Sequence, residues 1–301
     1  MISKQYPIFE VQPEWVLEPE VLGSKEKFWY RRSQDEKEWL FKYPQPDTGQ
    51  HWAEKVAEQI ALALGVLHGK VELAIFQGTR GSVTESFVSK GENLFHGNQI
   101  LAGKVFGYNP RKEFHQADHT LENIFTALQN TFSEESGQER AKRTLARYFI
   151  LDALIGNTDR HHENWAILAI KGPDKWGGRM APSFDHASSL GRELRDEGPK
   201  KSRARLLSEK RIGSYSEKAR GAIFEKNTDS HGLSPLDLVR KGLEQYPLYF
   251  KPALTIAKRL SREKVVEIVS KDPDGWMTKI TRKFTVDFVC YNSIKLKELV
   301  E

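Results

Sequence analysis

Short aromatic and β-branched runs crowd the first third of the chain, and longer runs at helical spacing fill the rest. Residues 27 to 43 (KFWYRRSQDEKEWLFKY) place aromatic clusters on both sides of the polar stretch SQDEKE, a pattern that predicts a β-hairpin. After the turn residues PQPDTGQ, the segment HWAEKVAEQIALALG sets Trp52, Val56, Ile60, Ala63 and Leu64 at helical spacing, with Gly65 placed to end the helix. KVELAIFQG and GSVTESFVS then predict two more strands joined by a tight connection marked by Gly78 and Gly81. The first ninety or so residues therefore read strand, strand, helix, strand, strand.

Beyond Gly91 the spacing becomes helical, in HTLENIFTALQNTF and from Glu139 to Ile155, where Leu145, Tyr148, Phe149 and Asp152 share one face. Two short apolar runs interrupt it, NWAILAI and RMAPSFD, joined by KGPDKWGG, and these predict a second hairpin. From Ser234 to the end the pattern is helical. The stretch from Gly191 to Gly221 is charged and glycine-punctuated, and mobility is expected there. The expected fold class is α+β with two lobes: a β-rich lobe over residues 1–89 and a mainly helical lobe over residues 90–301.

Composition narrows this picture. With 39% hydrophobic and 29% charged residues in 301, the chain is an ordinary folded protein with enough apolar material for a sizeable core. A lone cysteine, Cys290, cannot staple its own chain, and the N-terminus lacks an apolar run behind its charges. No membrane span is expected, and a reducing, cytoplasmic location is. The net charge of +5 selects no partner by itself. Its distribution says more: Lys200, Lys201, Arg203, Arg205, Lys210, Arg211, Lys218 and Arg220 gather against Glu209 and Glu217. Such a cluster is a solvated loop or a surface for an acidic or nucleic-acid-bound substrate, and Ser208, Ser214 and Ser216 within it are candidate phosphorylation sites.

The sharpest chemical feature is GNTDRHHENWAIL, in which Asp159 and Asn164 stand five residues apart in a polar loop between a helix and an apolar strand. Phosphoryl transfer to a hydroxyl needs a carboxylate that accepts the hydroxyl proton and an amide oxygen that holds magnesium, both on one rigid turn. Downstream, SFDHASSL places Asp185 directly after the second predicted hairpin, where a carboxylate suits the same hard cation. Upstream, Lys42 in WLFKYP ends a predicted strand, and Glu54 lies on the following helix, with Glu58 one turn further on. A lysine and glutamate so placed form the pair that steadies nucleotide phosphates. Ahead of Lys42, Gly23 allows a close backbone turn whose N–H groups at Ser24 and Lys25 can face phosphates.

Taken in order, LGSKEKFW, WLFKYP, EKVAEQIALALG, TESFV, LIGNTDRHHENW and SFDHASSLG resemble the HipA-like serine/threonine kinases, relatives of toxins from bacterial toxin and antitoxin modules. The resemblance runs from about Leu22 to at least Leu190. It implies that Lys42 binds phosphate, Glu54 is its partner, Asp159 is the catalytic base, and Asn164 and Asp185 ligate magnesium. It also implies that Glu85 to Val88, including Phe87, form the hinge that receives adenine, with ATP and Mg2+ as cofactors. A Ser or Thr of a protein is then the acceptor, and the translation machinery is a source of acceptors that no residue here identifies. Larger relatives carry an extra domain before the glycine loop, so such a domain, or an antitoxin, is expected on a separate chain. Direct nucleic-acid binding is not expected.

Three other readings remain open at this level. NTDRHHENW also looks like the catalytic loop of phosphoinositide-type lipid kinases. A pseudokinase could hold nucleotide without turning it over. His161, His162, Asp159 and His186 could instead form a transition-metal site, although adjacent histidines on an extended loop point apart.

Overall fold

The structure, a computed structural model, describes residues 5–19, 26–32, 37–112, 115–172, 176–198 and 201–299. Strands β1 (Ile8–Val11), β2 (Val16–Pro19), β3 (Lys27–Arg31) and β4 (Glu38–Lys42) precede helix α1 (Gln50–Leu64), and β5 (Val71–Phe76) and β6 (Thr79–Glu85) follow it. Together they make one sheet in the order β1-β5-β6-β4-β3-β2, antiparallel throughout except for β1 beside β5.

Alternation along β4 sorts the two faces of this sheet. Trp39 and Phe41 join Phe28, Tyr30, Phe76 and Val83 in an aromatic core on one side, which leaves Leu40 and Lys42 on the other. Direct cross-strand partners point the same way, so Lys42 shares its face with Ser82 and Leu73. Helix α1 packs on β5 and β6. It ends at Gly65, whose φ of 68° is left-handed and whose N–H returns to Ala61 and Leu62.

The remainder contains β7 (Glu92–His96), α2 (Gly97–Lys104), α3 (Leu121–Thr131), α4 (Glu135–Ile155), β8 (Ala166–Lys171), β9 (Trp176–Met180), α5 (Arg203–Ser208) and α6 (Ile212–Glu217). Helices α7 (Pro235–Gln245), α8 (Pro247–Leu254), α9 (Arg262–Ser270) and α10 (Lys279–Glu298) complete it. The last two turns of α4 are buried almost all round, against α3, α7, α8 and α10. The same apolar cluster takes in Trp52, Val56, Ile60 and Leu64 of α1, so packing is continuous from the helical part into the sheet at the helix that carries Glu54.

The structure corrects several expectations. Strands β1 and β2 lie ahead of the predicted hairpin, and β7 adds a third strand to β8 and β9 where helix alone was expected. All three are short and sit at sheet edges, and β1 and β7 bury at most one residue each, so runs of four or five residues leave little periodic signal. The turn between β5 and β6 is Gln77-Gly78, both with positive φ. Gly81 lies inside β6, where a Cβ would fall 2.4 Å from Phe41 Cζ and 2.7 Å from the Lys42 carbonyl oxygen. Asp185 does not follow a strand directly: β9 stops at Met180, and Pro182 has no N–H to continue a ladder. The stretch from Gly191 to Gly221 contains α5 and α6 and is pinned by buried Arg203, which donates to Gly191 O at 2.9 Å and Asp196 Oδ1 at 3.0 Å.

Candidate functional site

Three segments meet at Lys42. Its Nζ lies 3.3 Å from Asp185 Oδ1 and 3.8 Å from Glu54 Oε2. Burial opposes the ammonium charge, but Asp185, Glu54 and Asp159 more than offset it and hold the Lys42 pKa above the usual lysine value. Glu54 is almost fully buried. Its Oε1 accepts the His186 N–H at 2.8 Å, so one carboxylate joins α1, the end of β4 and the residue after Asp185. Glu58, one turn on, turns instead to Lys55 at 3.1 Å.

Asp185 adopts φ 56°, a left-handed conformation that aspartate tolerates better than most residues. Its approach is fixed from both sides: Ser183 N–H donates to Leu67 O at 3.0 Å, and Gly69 N–H donates to Ser183 O at 2.9 Å. His186 is buried, and desolvation together with Arg160 keeps it neutral, its pKa well below the usual value. Its Nε2 shares a 2.7 Å hydrogen bond with Ser183 Oγ.

The loop after α4 begins at Gly156, whose φ of 63° and close approach to Phe288 require glycine. Asp159 is half-buried, and its Oδ2 accepts from Ser188 Oγ at 3.1 Å. Asn164 donates through Nδ2 to Asp159 O at 2.7 Å. That bond fixes which way the amide faces and leaves Oδ1 as the atom suited to a cation, since an amide nitrogen cannot ligate one. Lys42, Glu54, Asp159, Asn164 and Asp185 are thereby brought to one cleft from strand, helix and two loops. Gly23, Ser24 and Lys25 lie outside the described residues.

At the cleft's rear, Glu85 still belongs to β6: its N–H donates to Lys70 O, and its carboxylate pairs with Lys37 and Lys70. Ser86 N–H donates to Glu38 O at 2.8 Å. Phe87 then leaves the ladder, with no backbone hydrogen bond on its N–H or carbonyl among the described residues, and its ring lies 5.6 Å from that of Phe184. Thr84 Oγ1, on the same stretch, is buried with no partner among the described residues. A buried orphan hydroxyl and a free-standing backbone pair beside two aromatic rings suit a planar ligand with polar edges.

Sequence reasoning missed the clamp beneath this loop. Buried Arg160 donates to both Asp152 carboxylate oxygens at 2.8 Å, to Asn164 O at 2.6 Å, to Ser183 Oγ at 3.0 Å and to Phe184 O at 3.2 Å. It ties α4, the Asp159 loop and the Asp185 segment together. The available signal was Asp152, a charge on an otherwise apolar helix face, which demands a buried partner. The histidines do different work. His162 is buried, bonded through Nδ1 to the Tyr108 hydroxyl at 2.8 Å and pushed down to about 4 by burial. No group of three or more His, Cys, Asp or Glu among the described residues is placed to hold a transition metal.

The curated proteins compared with the chain include no match. Among solved structures, the proinflammatory kinase CtkA of Helicobacter pylori is similar with a TM-score of 0.77 at 18% identity, over 98% of this chain and 97% of that one. HipA of Shewanella oneidensis MR-1, solved with HipB and operator DNA, is similar with a TM-score of 0.58 at 13% identity, over 98% of this chain and 67% of that one. The fold is thus the bilobal, protein-kinase-like α+β fold. The model of the HipA-like C-terminal domain matches residues 20–233, well over half the sequence, and the chain belongs to that HipA-like family.

Proposed function

We propose that the protein is an ATP- and magnesium-dependent kinase that transfers the γ-phosphoryl group to a Ser or Thr hydroxyl of a protein. The observation that carries this reading is the convergence of Lys42, Glu54, Asp159, Asn164 and Asp185, widely separated in sequence, on one cleft. Lys42, held charged by its carboxylate neighbours, binds the nucleotide phosphates. Glu54 keeps Lys42 and the Asp185 turn in register. The orphan Thr84 hydroxyl and the Phe87 backbone face the base, and Phe87 and Phe184 offer it flat apolar contact.

Asp159 takes the acceptor hydroxyl into hydrogen-bond range and receives its proton as the hydroxyl oxygen bonds to the γ-phosphorus and the bond from that phosphorus to the β–γ bridging oxygen breaks, so that ADP leaves with that electron pair. Asn164 Oδ1 and the Asp185 carboxylate are hard oxygen donors that fit magnesium. When bound, that ion supplies charge neutralisation at the phosphates. The proposal includes a cytoplasmic location and a partner of antitoxin type on a separate chain, as HipA of Shewanella has in HipB. Among the described residues no helix is long and apolar enough to cross a membrane.

Incubation with γ-labelled ATP, magnesium, a cell lysate and phosphoinositide vesicles tests the reading. Label is expected in protein with the wild type and in nothing with Asp159→Ala or Asp185→Ala. Label in lipid would reassign the acceptor class, and label in neither fraction would refute the kinase reading.

A further inference from the structure

We propose that a cationic cavity beside Asp159 receives an anionic group, carboxylate or phosphate, carried by the acceptor polypeptide next to its reacting hydroxyl; this rests on the kinase reading. The cavity measures about 410 Å³ and is bordered by Thr158, Ser188, Arg192, Lys201, Lys218 and Arg220. Ser188 connects it directly to Asp159 through the 3.1 Å hydrogen bond. Asp159 itself lines a second cavity of about 220 Å³, and Thr158 and Arg220 line both. A chain whose hydroxyl reaches Asp159 in the smaller cavity passes these two residues into the larger one.

The charge balance of the larger cavity is one-sided. Among the described residues Arg192, Lys201, Lys218 and Arg220 have no carboxylate at ion-pair distance, whereas nearby Arg205 and Arg211 both pair with Glu209. Arg192, Lys201 and Arg220 contact neutral groups instead. Arg192 donates to Ser188 Oγ and Gln45 Oε1, each at 3.2 Å. Lys201 Nζ stands 4.4 Å over the Tyr215 ring, and Arg220 donates to Ala219 O. Glu193 is the acidic side chain in the lining, and its Oε1 already accepts the Tyr215 hydroxyl at 2.7 Å. Four cations facing one hydrogen-bonded carboxylate create a field that favours an incoming anion. A bounded concavity suits a short polypeptide segment better than a nucleic acid, which needs an extended basic track with stacking aromatics.

Fluorescence anisotropy with labelled peptides tests this without depending on turnover. One peptide carries a Ser flanked by Glu, a second carries phosphoserine in those places, and a third carries Gln. The wild type is expected to bind one or both anionic peptides about ten-fold more tightly than the Gln peptide. Which of the two is preferred distinguishes carboxylate from phosphate. Lys218→Glu/Arg220→Glu is expected to erase the preference, and Lys201→Ala/Lys218→Ala serves if that variant melts early. Reversing two exposed lysines elsewhere, Lys251→Glu/Lys258→Glu, is expected to leave the preference intact.

Equal binding of all three peptides, or a preference that survives in the cavity variants, would overturn the proposal. So would tighter binding of a single-stranded oligonucleotide that the cavity variants lose. Label transfer to the same peptides separates the two claims: transfer without preference sinks the cavity alone, and preference without transfer to any acceptor sinks the kinase reading.

Discussion

Arg160 and Asp152 illustrate how one buried charge organises a site. Removing a partner from such a pair strands an uncompensated charge in the interior, which costs about 3–5 kcal/mol. Arg160→Met is therefore expected to lower unfolding free energy by about that much in urea titrations. Arg160→Met/Asp152→Leu is expected to recover part of the loss, because no charge is then left alone. Asp159 behaves differently, since it is half-buried and its loop is held by other groups. Asp159→Asn is expected to leave the melting temperature unchanged while transfer falls by about 10²–10⁴-fold, the usual contribution of a general base. A melting temperature that fell with activity would point to a structural role instead.

At the level of elements, the strand that presents Lys42 depends on its neighbour. Gly81 in β6 lets Phe41 and the Lys42 carbonyl approach closer than any Cβ permits. Gly81→Ala is expected to cost about 1–3 kcal/mol by overpacking and to weaken ATP binding, because the end of β4 must shift. Wild-type affinity in this variant, measured by calorimetry, would show that Lys42 does not set the phosphate site. These elements also show what was legible beforehand. The pairing of β3 with β4, α1 with its glycine stop, and the five-residue step from Asp159 to Asn164 were readable because periodicity and short spacing are local, whereas Lys42, Glu54 and Asp185 joined that pair only through the resemblance in motif order. β1 and β7 were not readable, since these short edge strands take their pairing from partners distant in sequence, and β2, though it pairs with the neighbouring β3, is four residues long with a shifted register. Ser188 and Arg160 were invisible for a related reason: a serine's partner and a buried arginine's acceptors are settled only when α4 and the two loops pack.

Across the whole molecule, the sheet and the last helices meet at Asp272. Its side chain is fully buried, and neither carboxylate oxygen has a hydrogen-bond partner among the described residues. Close by, Tyr6 N–H bonds to Lys271 O and Arg80 bonds to Gly275 O. Burial pushes Asp272 up to about 7, against the pull of Arg282 and Arg80. An unfolded aspartate titrates near about 3.9, so between that pH and 7 the unfolded chain releases a proton the native protein keeps. Stability from this group is thus present at low pH and lost as pH rises through that window. Asp272→Asn is expected to be more stable relative to wild type at pH 8 than at pH 5 in urea titrations; an unchanged difference would mean that Asp272 ionises normally.

The central claim is that residues from four segments form one magnesium and nucleotide site, and calorimetric titration of ATP with and without magnesium tests it most directly. Magnesium is expected to tighten binding to the wild type by about ten-fold or more, and Asp185→Asn is expected to abolish that gain. ATP affinity indifferent to magnesium in the wild type, or a gain that persists in Asp185→Asn, would contradict the account.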